Sequence, residues 1–364
     1  MAPTSVLQTH IESAIKSNGG WLPFDRFMEM ALYAPGLGYY ANDLRKFGLF
    51  PGQNTANGTD SDYGSDFVTA PELTPLFGQT LAKQVAQALQ HTQTTEIWEF
   101  GAGSGALARQ LLSALEQLGQ SVTRYTIVDL SGALRQRQQE TLQIFGDKVR
   151  WVSELLDAMP VKLLARVKGS WYERGVIVKS EREFDWQDRP TELRPPLEVE
   201  GLHDYLIEIH PQAEAFMRTL AHKLTSSAKG GAAFFIDYGF PEAEYFHPQR
   251  HMGTVMCHEG HKADGDPLAK VGRKDITAHV NFTGVAVAAQ DENLATLGYT
   301  SQGRFLLNCG MHLALENADL PNRANAMKLI NEHEMGELFK VIGFCTGEPW
   351  DAMGFNAGDR THTL

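Results

Sequence analysis

A glycine-rich turn between an apolar stretch and a helix-like stretch is the part of this 364-residue sequence best suited to hold a ligand. The turn carries Gly101, Gly103 and Gly105 within the sequence EFGAGSGALA. Glycines let the backbone approach a bound molecule closely, and the free N–H groups of the helix that follows need an acceptor. A dinucleotide, a nucleotide phosphate or an adenosyl sulfonium compound can occupy such a turn.

Two acidic residues narrow this choice. Glu99 lies two residues before the first glycine, and Asp129 ends the next apolar strand. An acid in the position of Asp129 can hold two ribose hydroxyls, which suits both NAD and S-adenosylmethionine. Glu99 is unfavourable beside a pyrophosphate but can meet a cationic sulfonium or an amine. Together the two acids favour S-adenosylmethionine over NAD, and a turn that binds no ligand is the third alternative.

Strands and helices alternate around the turn. Apolar runs bounded by turn residues predict strands, and apolar residues at helical spacing predict helices. Such an alternation indicates a parallel sheet with right-handed crossovers. The predicted elements are a strand at 96–100, a helix at 105–118, a strand at 124–130, a helix at 131–144 and a strand at 149–152. We expect the nucleotide-type core to comprise residues 91–160 and 205–238.

The rest of the chain is expected to surround this core. Residues 1–90 are predicted to form a helical arm with a turn-rich loop that covers the cofactor, and residues 91–364 the core itself. Cap insertions are expected near 161–205, which includes a β-hairpin, and near 239–285, which is rich in His, Gly and Pro.

Composition excludes several classes of function. The chain has 44 acidic and 32 basic residues and a net charge of −12, which disfavours nucleic acid as a partner. Its three cysteines are an odd, low number that fits a reducing compartment. We find no apolar run of 18 residues, no signal peptide and no Arg-rich presequence, so a bacterial-type cytoplasmic location without a membrane span is expected. The oligomeric state stays open, a homodimer included.

Several motifs outside the turn resemble one family, the MidA-like methyltransferases. This family includes the mitochondrial complex I assembly methyltransferase and its bacterial relatives. The more specific motifs are DFVTAPEL and DITAHV, and others extend the resemblance over nearly the whole chain, among them YAPGLGYY, ELLDAMPV, YLIEIHP and FIDYG. The resemblance implies an α/β fold, with a Rossmann-like class I methyltransferase core, an N-terminal helical arm and inserted cap segments.

The resemblance also implies a cofactor and a substrate. The cofactor is S-adenosyl-L-methionine, and the substrate is an arginine of a protein, which for the mitochondrial members is a subunit of respiratory complex I. Four residues of the DFVTAPE motif are expected to cover the cofactor, with a plain helix start as the alternative for the last three. These residues are Asp66, Thr69, Pro71 and Glu72.

Arginine methylation needs carboxylates that hold the planar guanidinium and direct one nitrogen to the methyl group. Because ligands of doubly wound sheets bind at the carboxyl ends of the strands, we predict Glu154, Asp157 and Glu208 as catalytic residues. Helix caps or surface ion pairs are the alternative roles for these acids. The Asp237–Gly239 segment ends another predicted core strand and is expected to face the same cleft.

A group of histidines and a cysteine in the second insertion could suggest a metal site. The spacing contains no pair of ligands arranged as in zinc modules, and the resemblance implies no metal. We therefore expect no metal site, a lid-like segment over the cleft, and buried, unreactive cysteines. The residues concerned are His247, His251, Cys257, His258 and His261.

The chain departs from its relatives before ELLDAMPV. Relatives carry one strand, further chain and then a second strand ending in Asn-Glu, whereas here Ser153 replaces the Asn and one strand is missing. Loss of a central strand would leave backbone groups unpaired beside the cofactor. We therefore predict that residues 149–152 form the central strand next to residues 96–100, and that the edge strand is short or absent.

Two further functions remain open beside a protein arginine methyltransferase. The shortened segment weakens the prediction for Glu154, and it keeps a cofactor-binding assembly factor without turnover as an alternative. An NAD-dependent oxidoreductase is the less favoured third alternative.

Overall fold

The computed structural model of the chain describes residues 3–42, 69–129, 132–152, 159–181, 183–260 and 262–364. Its α-helices are α1 (Pro3–Ser17), α2 (Phe24–Tyr33), α3 (Ala70–Leu73), α4 (Leu76–Thr92), α5 (Ala106–Gln117), α6 (Gly132–Leu142), α7 (Pro211–Thr225), α8 (Glu242–Tyr245), α9 (Phe282–Asp291), α10 (Gln302–Asn308), α11 (Met311–Glu316), α12 (Leu320–Ile330) and α13 (Met335–Leu338). Short 3-10 helices span Gln143–Lys148, Met353–Phe355 and Thr361–Thr363.

The strands alternate with these helices along the chain. They are β1 (Leu22–Pro23), β2 (Glu96–Phe100), β3 (Arg124–Val128), β4 (Val149–Val152), β5 (Lys162–Val167), β6 (Ser170–Ser180), β7 (Glu183–Pro190), β8 (Tyr205–Ile209), β9 (Ala232–Phe240), β10 (Met256–Glu259), β11 (Lys262–Asp264), β12 (Asp275–Thr277), β13 (Val280–Asn281), β14 (Leu294–Ser301) and β15 (Phe339–Thr346). Among the described residues, no helix combines the length and the apolar character that are needed to cross a bilayer.

The chain divides into two compact units, and each is built from several stretches of sequence. Unit 1 comprises Met1–Val68, Asp157–Ala213 and Glu242–His279; unit 2 comprises Thr69–Leu156, Glu214–Pro241 and Val280–Leu364. These units divide the chain differently from the predicted domains. Helix α4, assigned to the N-terminal arm, belongs to unit 2, and the segments predicted as cap insertions share unit 1 with the N-terminal helices.

Unit 1 contains antiparallel sheets packed against the first two helices. Its larger sheet has the order β1-β6-β5-β8 with β7 paired to β6, and a smaller sheet has the order β11-β10-β12. In α1, Leu7, Ile11 and Ile15 recur every four residues on one face and are at most 1% exposed. Strand β8 pairs with β5 in this unit, so its assignment to the nucleotide-type core was wrong.

Unit 2 contains two sheets. The first has the order β2-β3-β4, with all strands parallel, and helices α5 and α6 connect them as the alternation predicted. The second has the order β13-β9-β15-β14, in which β15 runs antiparallel to both β9 and β14. The mixed α/β character of the chain is therefore confirmed.

The position of β4 differs from the prediction. Val149–Val152 pairs with β3, on the side away from β2, so it is the edge strand and not the central one. The spacing of apolar residues can identify a strand, but which strand it pairs with depends on the chain that connects the two. The chain from β3 through α6 to β4 is a crossover that can place β4 directly beside β3. Among the described residues, β2 pairs with β3 alone.

The open edge of β2 predicts unequal costs for two matched substitutions. Ile127 of β3 is fully buried, whereas Ile97 of β2 is only partly buried. Ile127→Ala should lower the free energy of unfolding by about 3 kcal/mol through lost burial and a residual cavity, and Ile97→Ala should cost clearly less. Urea unfolding followed by tryptophan fluorescence measures both. Equal losses would show that β2 is covered by a neighbour.

Candidate functional site

The glycine turn follows β2 directly and leads into α5. Gly101, Gly103 and Gly105 have φ angles of 70°, 54° and 83°, a left-handed region that strains other residues. A Cβ added at Gly101 or Gly103 would meet no atom within 4 Å. The turn is therefore held in a shape that needs glycine, with open space beside its first two glycines.

Glu99 lies at the carboxyl end of β2, one residue before the end of the strand. Its Oε2 accepts a hydrogen bond of 2.8 Å from the hydroxyl of Tyr125, a fully buried residue of β3. Desolvation, with a smaller contribution from the charge of Asp129, raises the pKa of Glu99 to about 7 despite the lowering effect of the Tyr125 hydroxyl. A cation bound beside Glu99 would favour the ionised form.

Asp129 is held in place by Gln138 of α6, a residue that sequence reasoning missed. The Gln138 amide nitrogen donates to Asp129 Oδ2 at 2.9 Å and to the Gly103 carbonyl at 3.0 Å. Its amide oxygen accepts from Trp151 Nε1 of β4 at 3.0 Å. Gln138 is fully buried. Gln138 lies four residues from both Leu134 and Leu142, so the helical repeat places its polar side chain on the inner face of α6. This spacing was the one signal in the sequence that could have identified it.

The DFVTAPE motif reaches the glycine turn through its last residue. The Ser104 hydroxyl donates a short hydrogen bond to Glu72 Oε1. Thr69 is the N-cap residue of α3 and Pro71 lies in its first turn, so the helix start is present as well. Asp66 lies outside the described residues. The cofactor-covering role of the motif stays a prediction.

Asp237 lies towards the end of β9, in the other sheet of unit 2. Its Oδ1 accepts one hydrogen bond of 2.8 Å, from the backbone N–H of Tyr238. The residue keeps solvent-exposed surface, and desolvation of its carboxyl raises the pKa of Asp237 to about 6. No basic side chain of the described residues forms an ion pair with it. The Tyr238 ring packs edge-on against Phe339, with centroids 5.5 Å apart.

Glu208 lies in unit 1, at the end of β8, and is fully buried. Its Oε1 accepts from the N–H groups of Thr254 and Val255 at 2.7 and 3.0 Å. Its Oε2 accepts from the hydroxyls of Tyr245 and Thr254 at 2.9 and 3.1 Å. Four donors occupy the acceptor sites of one carboxylate, so Glu208 anchors the turn at residues 253–255. Its catalytic role stays a prediction.

The two other predicted catalytic residues, Glu154 and Asp157, lie outside the described residues, as does His261 of the histidine group. In the part of the chain that is described, no three His, Cys, Asp or Glu side chains are grouped to hold a metal ion. The three cysteines are buried, as expected. Desolvation raises the pKa of Cys257 to about 12, so its thiol is not ionised at neutral pH.

These residues fit an adenosyl ligand with a positive charge. The glycine turn offers open space and the N-terminus of α5, which accepts ligand oxygen atoms. Asp129 is oriented by Gln138 towards the position that holds ribose hydroxyls in related folds. Glu99 supplies a carboxylate for an ammonium or sulfonium group. A pyrophosphate would place two negative charges beside these acids, and so fits less well.

Comparisons with known sequences agree with this chemistry. Residues 80–300 match the family described as "Putative S-adenosyl-L-methionine-dependent methyltransferase". The protein arginine methyltransferase NDUFAF7, mitochondrial, of Danio rerio is 26% identical over 387 positions, which cover 92% of this chain and 85% of that protein. The human protein of the same name is 24% identical, with coverage of 93% and 83%.

A solved structure from Burkholderia thailandensis is similar over the whole chain. It is described as a likely methyl transferase bound to S-adenosyl-homocysteine, and it is 46% identical to this chain with a TM-score of 0.91. The comparison covers 100% of this chain and 97% of the Burkholderia chain.

The glycine turn can be tested with two matched substitutions. Gly103→Ala and Gly119→Ala each place a side chain at positive φ in open space, so each should cost about 1 kcal/mol of stability. Only Gly103→Ala should weaken S-adenosyl-homocysteine binding, by at least tenfold, because its methyl group occupies the ligand space. Isothermal titration calorimetry measures the affinity. Equal affinities of the two variants would exclude the turn as the binding site.

The raised pKa of Glu99 predicts a pH dependence. A carboxyl with a folded pKa near 7 and an unfolded value of 4.5 lowers stability as pH rises between these values. Glu99→Gln should therefore match the wild type in thermal stability below pH 5 and exceed it at pH 8. The same variant should bind S-adenosylmethionine more weakly at pH 8, where the wild-type carboxylate is ionised. A variant that binds as tightly as the wild type at pH 8 contradicts the proposed contact.

Proposed function

Because this chain belongs to a family of S-adenosyl-L-methionine-dependent methyltransferases, we propose that its methyl acceptor is an arginine side chain of a protein. The family match and the related structure with bound S-adenosyl-homocysteine confirm the resemblance and the cofactor expected from the sequence. The oxidoreductase alternative loses its support. The named relatives are protein arginine methyltransferases, at 24–26% identity over most of both chains.

The observation that carries the proposal is the carboxylate of Asp237. It ends a strand of the cofactor-binding unit, and among the described residues it accepts a single hydrogen bond, from its neighbour in sequence. A carboxylate with free lone pairs can accept two parallel N–H groups from a guanidinium. Asp237 is therefore suited to hold the planar head of an arginine and to direct one nitrogen.

The proposed roles divide between binding and proton transfer. Bound S-adenosyl-L-methionine supplies an electrophilic methyl group on a sulfonium. The glycine turn, Asp129 and Glu99 hold and orient this cofactor, and Thr69, Pro71 and Glu72 lie over the turn. Methylation of a guanidinium nitrogen releases a proton. Asp237, with a pKa near 6, is largely ionised at pH 7.5 and can accept that proton on a carboxylate oxygen.

A second function is favoured by one feature of unit 2. Among the described residues, β2 pairs with β3 alone, so on its other edge no described strand supports the glycine turn that would position reactants. An assembly factor that binds the cofactor without turnover needs less precise geometry. We keep this alternative beside the enzyme. A complex I subunit as substrate and a cytoplasmic location follow from the resemblance and stay predictions.

Methyl transfer from tritiated S-adenosyl-L-methionine tests the proposed function directly. Extract proteins that include respiratory complex I should gain label, and hydrolysis should place it in methylarginine. Asp237→Asn should lower transfer about 100-fold or more while S-adenosyl-homocysteine affinity is kept. Asp351→Asn, at an exposed acid of the same unit, is the matched control and should behave as wild type.

Each result of this assay has a clear meaning. Label in methyllysine or methylhistidine would replace the arginine proposal by another acceptor. Tight binding of S-adenosyl-homocysteine without label in any protein would favour the assembly factor.

A further inference from the structure

Besides the outer edges of β4, β13 and β14, two strand edges in unit 2 lack a partner over most of their length among the described residues. β2 pairs with β3 on one side only. β9 pairs with β15 from Ala232, opposite Cys345, to Tyr238, opposite Phe339, but its other edge meets β13 only at Gly239 and Phe240. The N–H and C=O groups along these two edges are therefore available to an added strand.

The apolar side chains of β2 and β9 are less buried than those of the neighbouring strands. Ile127 and Val128 of β3 are at most 3% exposed, and Ile342 and Phe344 of β15 are fully buried. In contrast, Trp98 of β2 is 48% exposed, and residues 232–236 of β9 are all only partly buried. The apolar side chains of β2 and β9 are thus less covered than those of their neighbours β3 and β15.

Helix α7 contacts the sheets of both edges. In α7, Phe216 contacts Phe100 of β2 with ring centroids 5.7 Å apart. Met217 of the same helix packs in the cluster that includes Phe344 of β15. The sheets that contain β2 and β9 therefore share α7, and we infer that their open edges flank one space.

The segment that follows β4 is short. Only six residues separate Val152, the last residue of β4, from Met159. A crossover that adds a parallel strand requires a dozen or more residues. The alignment with the Danio rerio relative extends over 387 positions, more than the 364 residues of this chain, so that relative has residues with no counterpart here.

We propose that the space between β2 and β9, called the strand slot below, receives an extended segment of the protein substrate as an added strand, with its arginine beside Asp237. This inference rests on the proposed function and identifies how the substrate chain would bind. An added strand would satisfy the main-chain groups of both edges and cover Trp98 and Phe100.

Charge favours a substrate segment over a second copy of this chain. β2 and β9 each carry a carboxylate towards their carboxyl ends, Glu99 and Asp237, and the chain as a whole has a net charge of −12. A segment with an arginine offers the complementary charge, whereas a second copy brings the same negative surface. Strands that have neighbours on both edges inside a covered sheet are mostly apolar. We therefore expect the occupant to be mostly apolar along its length and to carry a basic residue at one end.

Hydrogen–deuterium exchange with a synthetic peptide tests the strand slot. The probe is the acetylated and amidated peptide Val-Thr-Val-Thr-Val-Arg, added to the full chain with saturating S-adenosyl-homocysteine. Exchange of the amides in 96–100 and 232–238 should slow at least tenfold, while α12 and β6 should be unchanged. A peptide with alternate amides N-methylated keeps its side chains but cannot pair on both edges, and should give no protection. Replacement of its arginine by norleucine should weaken binding at least tenfold.

The outcomes separate the slot from the proposed function. No protection by millimolar peptide, or equal protection by the N-methylated peptide, would overturn the slot, even if methyl transfer to arginine is observed. Protection without peptide that grows with protein concentration would assign the edges to a second copy and also overturn it. If peptide protects both edges in the wild type but arginine is never methylated, the proposed function fails while the slot remains as a peptide site.

Discussion

The side-chain amide of Gln138 is the contact on which the cofactor end of unit 2 depends. One buried group joins the glycine turn, the end of β3 and the edge strand β4, through Gly103, Asp129 and Trp151. A buried amide can make these bonds only when all three partners are in place, and an unpaired member would cost about 1–3 kcal/mol. The glycine turn is therefore not an isolated loop. Its shape is coupled to the position of Asp129, the acid that we predict to hold the ribose.

This coupling explains why the edge strand is kept although the chain before ELLDAMPV is short. β4 supplies Trp151, and without it the amide oxygen of Gln138 would lose its donor. Among the described residues, no strand pairs with the other edge of β2, and Trp98 of this strand is 48% exposed. A strand edge that water can reach costs less than an unsatisfied buried amide.

Much of the cofactor end could be predicted from the sequence because its determinants are local. Strand, glycine turn and helix are adjacent in the chain, and Gly101 to Gly105 need positive φ whatever the rest of the fold does. The place of β4 could not be predicted in this way, because periodicity does not encode which neighbour a strand takes. Glu208 shows a similar limit. Its four donors come from residues 245–255, far along the chain, so its role as an anchor became visible only in the fold.

The open edges and the raised pKa values of the acids have a common physical origin. Glu99 and Asp237 each lie towards the end of a strand that lacks a neighbour along one edge among the described residues, and neither forms an ion pair with a described side chain, although Lys340 of β15 lies opposite Asp237. Desolvation without a counter-charge raises the pKa of a carboxyl, and the arrival of a cation reverses that effect. Binding of a cation and ionisation of the nearby carboxyl are therefore coupled, and the cost of ionisation is offset only when the cation is bound. We propose that a sulfonium near Glu99 and a guanidinium near Asp237 supply these positive charges.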